Sequence, residues 1–356
     1  MPSEILLSAV ILLLVGCATI VFCFICGDCW LLVFDFLAPS QLGLGIALVN
    51  RRFNCIVDEH FKTRKWKLDK MRICHKIGEN GTKQMQIVNS DGNPLPIPQN
   101  PLPSKVIGFR SINIFYIDQN AVAFLRRFHR FFDVCAIYLI IITENVRILD
   151  FVMLNIWPIL RDFIIRLHFN SIAFRRMRQL GPSLLSNCPS VRFVSFNDAI
   201  LPAFPPGESA NASDGQAVTK WLFTPRPDSR PKWFRSSVNS PVGQWSSMME
   251  QIKAAFSNAS SPVTFRIHFW SSSPINSVVP FDLINEVTGE KLYLLKAANN
   301  FWLDRCPIVW DERKWRNVWE ELSARPNPID IWVRDGAFDD GLLDATSPGS
   351  SDQQKK

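Results

Sequence analysis

The sequence predicts a mixed α+β or α/β fold: a short helical module ahead of a larger domain in which helix and strand alternate. Three observations predict it. Between Asp28 and Phe53, apolar residues recur at helical spacing and are interrupted at Pro39. Beyond residue 105, strand-like runs centred on Ile114, Ile140, Leu167 and Val194 follow one another every 26 or 27 residues, with a helical stretch in each gap. A chain of 356 residues with 47% apolar content, 12 Trp and 27 Phe also has the material for a large core, which excludes bulk disorder.

The first element is an uncharged run from Ile5 to Cys26, long enough at 1.5 Å per residue to form a transmembrane helix. Glu4 precedes it in place of the basic residues of a signal peptide. Arg51, Arg52, Lys62, Arg64, Lys65 and Lys67 follow, so an anchor would leave the C-terminal bulk in the cytosol. A membrane anchor, a signal peptide and a gene-model artefact ahead of a soluble protein all remain open for residues 1–26.

Next comes the segment 28–66. Trp30, Val33, Phe34 and Leu37 stand at i, i+3, i+4 and i+7, one stripe of a helix. Pro39 and Ser40 end that helix and start another carrying Leu42, Ile46, Leu48 and Val49. A third short helix holds Phe53, Ile56 and Val57. These pieces are too small to hold a core alone and are expected to lie against a partner.

From Trp66 the alternation becomes strand-like. Asn80-Gly81 supplies a hairpin turn, and Met85, Ile87 and Val88 return. Pro94, Pro96, Pro98, Pro101 and Pro103 then form an extended linker, so residues 67–105 read as a hairpin and spacer. Residues 106–340 are the α/β domain. Helices are expected over 121–133, 149–162 kinked or ended near Pro158, and 172–187 with a break at Gly181-Pro182. Strands follow over 232–236 and 263–269, and Ser247-x-x-Glu250 reads as a capping box opening the helix 248–257. Phe281 to Leu295 is a hairpin pivoting on Thr288-Gly289, 301–309 adds a strand, 329–333 closes the domain, and 341–356 is expected to be a polar, disordered tail. A near-constant helix–strand period suits a curved, leucine-rich-repeat-like stack, and equally an ordinary α/β domain with right-handed crossovers.

Phe163 to Phe169 and Val263 to Phe269 nearly copy each other. Period two puts Arg166 with His168, and Arg266 with His268, on the faces opposite Leu167 and Ile267. If both strands share a sheet, these four residues form a cationic band for an acidic protein partner.

Catalytic signatures are missing. There is no Gly-x-Gly-x-x-Gly, phosphate-binding loop, His-Glu-x-x-His or nucleophile elbow, and the five His share no ligand spacing. Nine scattered Cys suit reduced thiols, and Cys23-x-x-Cys26-x-x-Cys29 lacks a second ligand pair. No catalytic residue, metal or cofactor is expected. The net charge of +7 comes without a basic stripe interleaved with aromatics, so nucleic acid is not expected either.

The segment 28–66 resembles an F-box through Val33-Phe34, Phe36-Leu37, Pro39, Leu42, Val49 and Phe53. Phe53 stands where that family usually has Trp, Asn50 where Cys is common, and Gly27-Asp28-Cys29 replaces the opening Leu-Pro pair. The block from Phe281 through Arg305-Cys306-Pro307-Ile308 resembles the C-terminal segments of lineage-expanded nematode F-box proteins. The resemblance implies a non-catalytic substrate receptor of a Skp-cullin-F-box ubiquitin ligase, cytoplasmic or nuclear. It would touch a Skp-type adaptor, and thence a cullin, through Trp30, Val33, Phe34, Phe36, Leu37, Pro39, Leu42, Val49 and Phe53. The other reading is a membrane-tethered or secreted protein-binding module, for which glycans on Asn211 or Asn258 would speak.

Overall fold

Alternation in the strands decides the layering of the domain. In Phe265–Trp270 the odd positions are buried and the even ones half-buried, so one face of the strand meets a core and the other does not. The computed structural model describes residues 26–37, 42, 46–64, 66–78, 81–89, 92–95, 106–132, 136–238, 242–271, 279–309, 320 and 327–333. The expected anchor (5–26, apart from Cys26), Pro39, the Pro-rich spacer beyond Leu95, Trp310, Trp315, Trp319 and the tail lie outside these residues. Among the described residues no helix is long and apolar enough to cross a membrane.

Two helices come first, α1 (Gly27–Phe34) and α2 (Arg51–Thr63), with a short 3₁₀ turn (Ile46–Leu48) between them. The rest of the described chain is built on one 13-stranded sheet. Its strands are β1 (Trp66–Ile77), β2 (Lys83–Val88), β3 (Pro94–Leu95), β4 (Val106–Ile114), β5 (Ile137–Ile141), β6 (Ile164–Phe169), β7 (Phe193–Phe196), β8 (Lys232–Ser237), β9 (Phe265–Trp270), β10 (Phe281–Asn285), β11 (Glu290–Ala297), β12 (Asn300–Pro307) and β13 (Pro328–Ile331). The helices between them are α3 (Gln119–Phe132), α4 (Val146–Phe151), α5 (Trp157–Leu160), α6 (Ser171–Leu180), α7 (Asp214–Phe223) and α8 (Val242–Ser257).

The sheet order is β10-β11-β12-β9-β8-β7-β6-β5-β13-β4-β1-β2-β3. From β5 to β9 each strand lies parallel beside its predecessor, with Leu167 opposite both Leu139 and Val194. Repeated parallel steps in one direction send every helical crossover to the same side of the sheet. The expected strands at Ile114, Ile140, Leu167, Val194, 232–236 and 263–269 are all present. The closing strand is also present, but not at an edge: β13 slots between β4 and β5, parallel to both.

Helix-facing strand residues such as Ile112, Leu139, Leu167, Val194, Phe234, Ile267 and Leu303 join the buried residues of the helices in one large core. Tyr138 and Phe193 are buried too, yet they lie on the opposite face and outside that core.

Local signals explain most boundaries. The turn glycines Gly81 and Gly289 take φ of +73° and +67°, the conformation their hairpins require. Asn50, Asn145, Asn170 and Ser213 cap α2, α4, α6 and α7 by accepting a backbone N–H three residues on. Pro158 does not break its helix. A π turn over Val152–Ile156, with Trp157 N–H bonded to the Val152 carbonyl, absorbs the proline, which has no N–H of its own to give. One expectation is corrected: Ser247 and Glu250 form no capping box, because α8 begins at Val242 and both lie inside it, with Ser247 Oγ accepting from Gln251 at 3.0 Å.

Candidate protein-docking site

In the helical unit, Asn50 stands outside the helix and accepts Phe53 N–H at 2.9 Å, which fixes where α2 starts and turns Phe53 inward. Phe53 meets Trp30 edge-on at 4.9 Å between ring centroids, and Phe34 meets His60 edge-on at 5.8 Å. Burial lowers the His60 pKa, so a neutral imidazole packs there at pH 7. An ion pair between Arg64 and Asp35 ties the C-terminal end of α2 to that of α1.

This unit therefore has a core of its own. Trp30, Phe34, Leu42, Ile46, Phe53 and Val57 are all buried, with Val33 and Leu37 packed half-buried against them. Two expectations are corrected here. The segment does hold a small core, and Trp30, Phe34, Leu42 and Phe53 are consumed by it rather than held open for a partner. What the unit leaves open is Phe36, 80% exposed, and Val49, 49% exposed. Leu32, which the helical stripe did not single out, is 62% exposed as well. It stands four residues before Phe36, which lies two residues beyond the end of α1. The uninterrupted run Leu31-Leu32-Val33-Phe34 carried that signal: a helix apolar beyond its stripe covers only part of itself.

On the sheet, the four expected client residues do share one face. Arg166 sits opposite Phe193, Phe193 opposite Trp233, and Trp233 opposite Arg266, while His168, Ser195, Arg235 and His268 form the next row. They do not make a cationic band. The Arg166 guanidinium is stacked on the Tyr138 and Phe193 rings at 4.6 and 4.2 Å. Arg266 is held by both oxygens of Asp304, at 2.8 and 2.6 Å, and Asp304 also accepts from the Tyr293 hydroxyl at 3.0 Å. His168 Nδ1 lies 2.7 Å from Ser195 Oγ. His268 bonds to Asn300 at 2.9 Å and stacks flat on Trp302, and burial pushes its pKa below the ordinary value, so it is neutral at pH 7. The positive charge exposed in these rows is that of Arg235.

Farther along the sheet, Glu290 at the start of β11 and Arg305 on β12 are both fully buried and joined at 3.0 and 2.6 Å. Lys232 is buried too, donating to the Trp221 and Thr224 carbonyls, and burial lowers its pKa to about 7. Each of these groups is spent on the fold. Among the described residues no cluster of His, Cys, Asp or Glu could hold a metal ion. No family model matches this chain, and neither the curated proteins nor the solved structures give a match to it.

Proposed function

We propose that this chain is a substrate-receptor subunit of a Skp-cullin-F-box type ubiquitin ligase, acting by two-ended binding without chemistry of its own. One observation carries the reading: beside a filled core, the helical unit leaves Phe36 80% and Leu32 62% exposed. Large apolar side chains grouped on a small unit favour association, and an aromatic anchor is the commonest source of binding energy at such a surface. The adaptor-facing residues are then Leu32, Phe36 and Val49, with Val33 and Leu37 at the margin. Trp30, Phe34, Leu42 and Phe53 shape the unit from inside.

The sheet domain would hold the client. Its progressive parallel order from β5 to β9 is what a stack of helix–strand units produces, and such a stack leaves one broad sheet face without helices. That face combines half-buried aromatics with Arg235. The chemistry of ubiquitin transfer would belong to other subunits, in the cytoplasm or nucleus.

Co-purification tests the adaptor end. Phe36→Asp combined with Val49→Asp puts two charges on the exposed positions and should reduce recovery of the Skp-type adaptor to background. Undiminished recovery would refute the reading.

A further inference from the structure

Residues 27–63 contain a single histidine, His60, and only 7% of it is exposed. The ring stands in the last turn of α2, with the fully buried Phe34 edge-on at 5.8 Å and Phe61 at 6.0 Å. Its Nδ1 is sealed from solvent and has no hydrogen-bond partner among the described residues. A buried polar atom left unpaired in this way is uncommon in folded proteins.

The protonation state decides what that atom costs. A neutral imidazole needs only one hydrogen, which Nε2 carries, and Nδ1 is then an unused acceptor. An imidazolium has hydrogens on both nitrogens, so Nδ1–H becomes a buried donor without an acceptor, on a ring that is also charged. The second state is far more costly among aromatic side chains.

The neighbouring elements offer no charge to offset it. The stretch from Phe36 to Val49, which includes the 3₁₀ turn, contains no ionisable residue. Asp35, just past α1, is already paired with Arg64. Arg51, Arg52, Cys55, Asp58, Glu59 and Lys62 on α2 are all exposed, on sides of the helix other than the buried one. Asp28 and Cys29 are exposed in the first turn of α1, while His60 meets Phe34 at its last residue. A place in the last turn of a helix favours a cation, but burial outweighs it and lowers the His60 pKa.

We propose that His60 is an acid-sensitive latch: a proton on its ring opens the helical unit and frees Trp30, Phe34 and Phe53 from their mutual packing, while the sheet domain stays folded. The core of the unit is separate from that of the sheet domain, so one can open without the other. The opened segment takes up a proton near the ordinary histidine value of 6.5, and the packed unit does not. The stability that His60 contributes is therefore complete above that pH and is lost as pH falls below it. Between pH 7.5 and 5.5 the open fraction rises by up to about tenfold, the effect of one proton. The proposal concerns the unit by itself and does not depend on adaptor docking.

Hydrogen exchange of the full chain at pH 7.5 and 5.5, with each rate divided by the intrinsic rate at that pH, tests it. Protection over 51–63 should fall by about threefold to tenfold. Protection over Ile137–Ile141, a strand with no group that titrates in this range, should stay constant. His60→Phe and His60→Leu remove the titrating ring, and each is compared with itself at the two pH values, so a change in its baseline stability cancels. Each folded variant should keep its protection over 51–63 at pH 5.5. Any of three results overturns the proposal: wild-type protection over 51–63 that is equal at both pH values, an equal loss over 137–141, or a folded variant that loses protection as the wild type does.

Discussion

In the helical unit of residues 27–63, six buried apolar side chains make up the core among the described residues, and Leu32, Phe36 and Val49 are left in solvent. In the sheet domain, strand after strand fills its helix-facing positions with side chains that are almost fully buried. Its exposed apolar residues, such as Ile77, Val287 and the pair Ile308 and Val309, are scattered at a strand end, in a hairpin turn and beyond the last residue of β12. Single exposed apolar residues are ordinary on protein surfaces, whereas several on one small unit are not. A short segment has too little volume to cover its own apolar surface, and the uncovered part becomes available to a second protein. The sheet domain is already covered on its helical side, so the client surface proposed for it lies on the opposite face.

That contrast can be broken or sharpened by experiment. The largest effect is expected from Arg305→Ala, which leaves Glu290 buried without its cation and should cost about 3–5 kcal/mol of domain stability in denaturant unfolding. Phe34→Ala should cost about 3 kcal/mol, but only in the helical unit. Hydrogen exchange would then show lost amide protection over 51–63 with protection over 164–169 unchanged. Loss in both regions would mean that the two cores are not separate.

A pH effect comes next. The Lys232 pKa of about 7 lies below the ordinary lysine value of 10.5, so above pH 7 the unfolded chain holds more protons at this site than the folded one. Stability should therefore rise between pH 7 and 8.5. Lys232→Met should flatten that rise. Above pH 9 the buried thiols of Cys188 and Cys306, both pushed up to about 12, act in the opposite sense. The smallest effect on stability is expected from Phe36→Asp, within about 0.5 kcal/mol, because an exposed side chain is replaced.

Period-two alternation and turn chemistry made most of the sheet legible in the sequence. The runs at Ile114, Ile140, Leu167 and Val194 became β4, β5, β6 and β7, and Gly289 became the pivot of a hairpin. These features are local, so local pattern reports them. The place of β13 was not legible. Pro328–Ile331 alternates as a strand should, but its insertion between β4 and β5 depends on partners about 190 and 215 positions earlier, and local pattern is silent on such pairing. The same limit explains the candidate sites. The face shared by Arg166, His168, Arg266 and His268 followed from alternation, while the neutralising Asp304 came from β12, antiparallel to β9 and 38 residues after Arg266. In the helical unit the spacing of Trp30 and Phe34 identified the packed stripe correctly, but spacing alone does not say whether a stripe packs against its own chain or another.

The most direct measurement is the affinity of a purified Skp-type adaptor for the full chain, compared with Phe36→Asp/Val49→Asp and with Arg235→Glu on the sheet face. The docking reading predicts a loss of more than about tenfold for the first variant and wild-type affinity for the second. Equal binding by all three proteins, or no binding by the wild type, would contradict it.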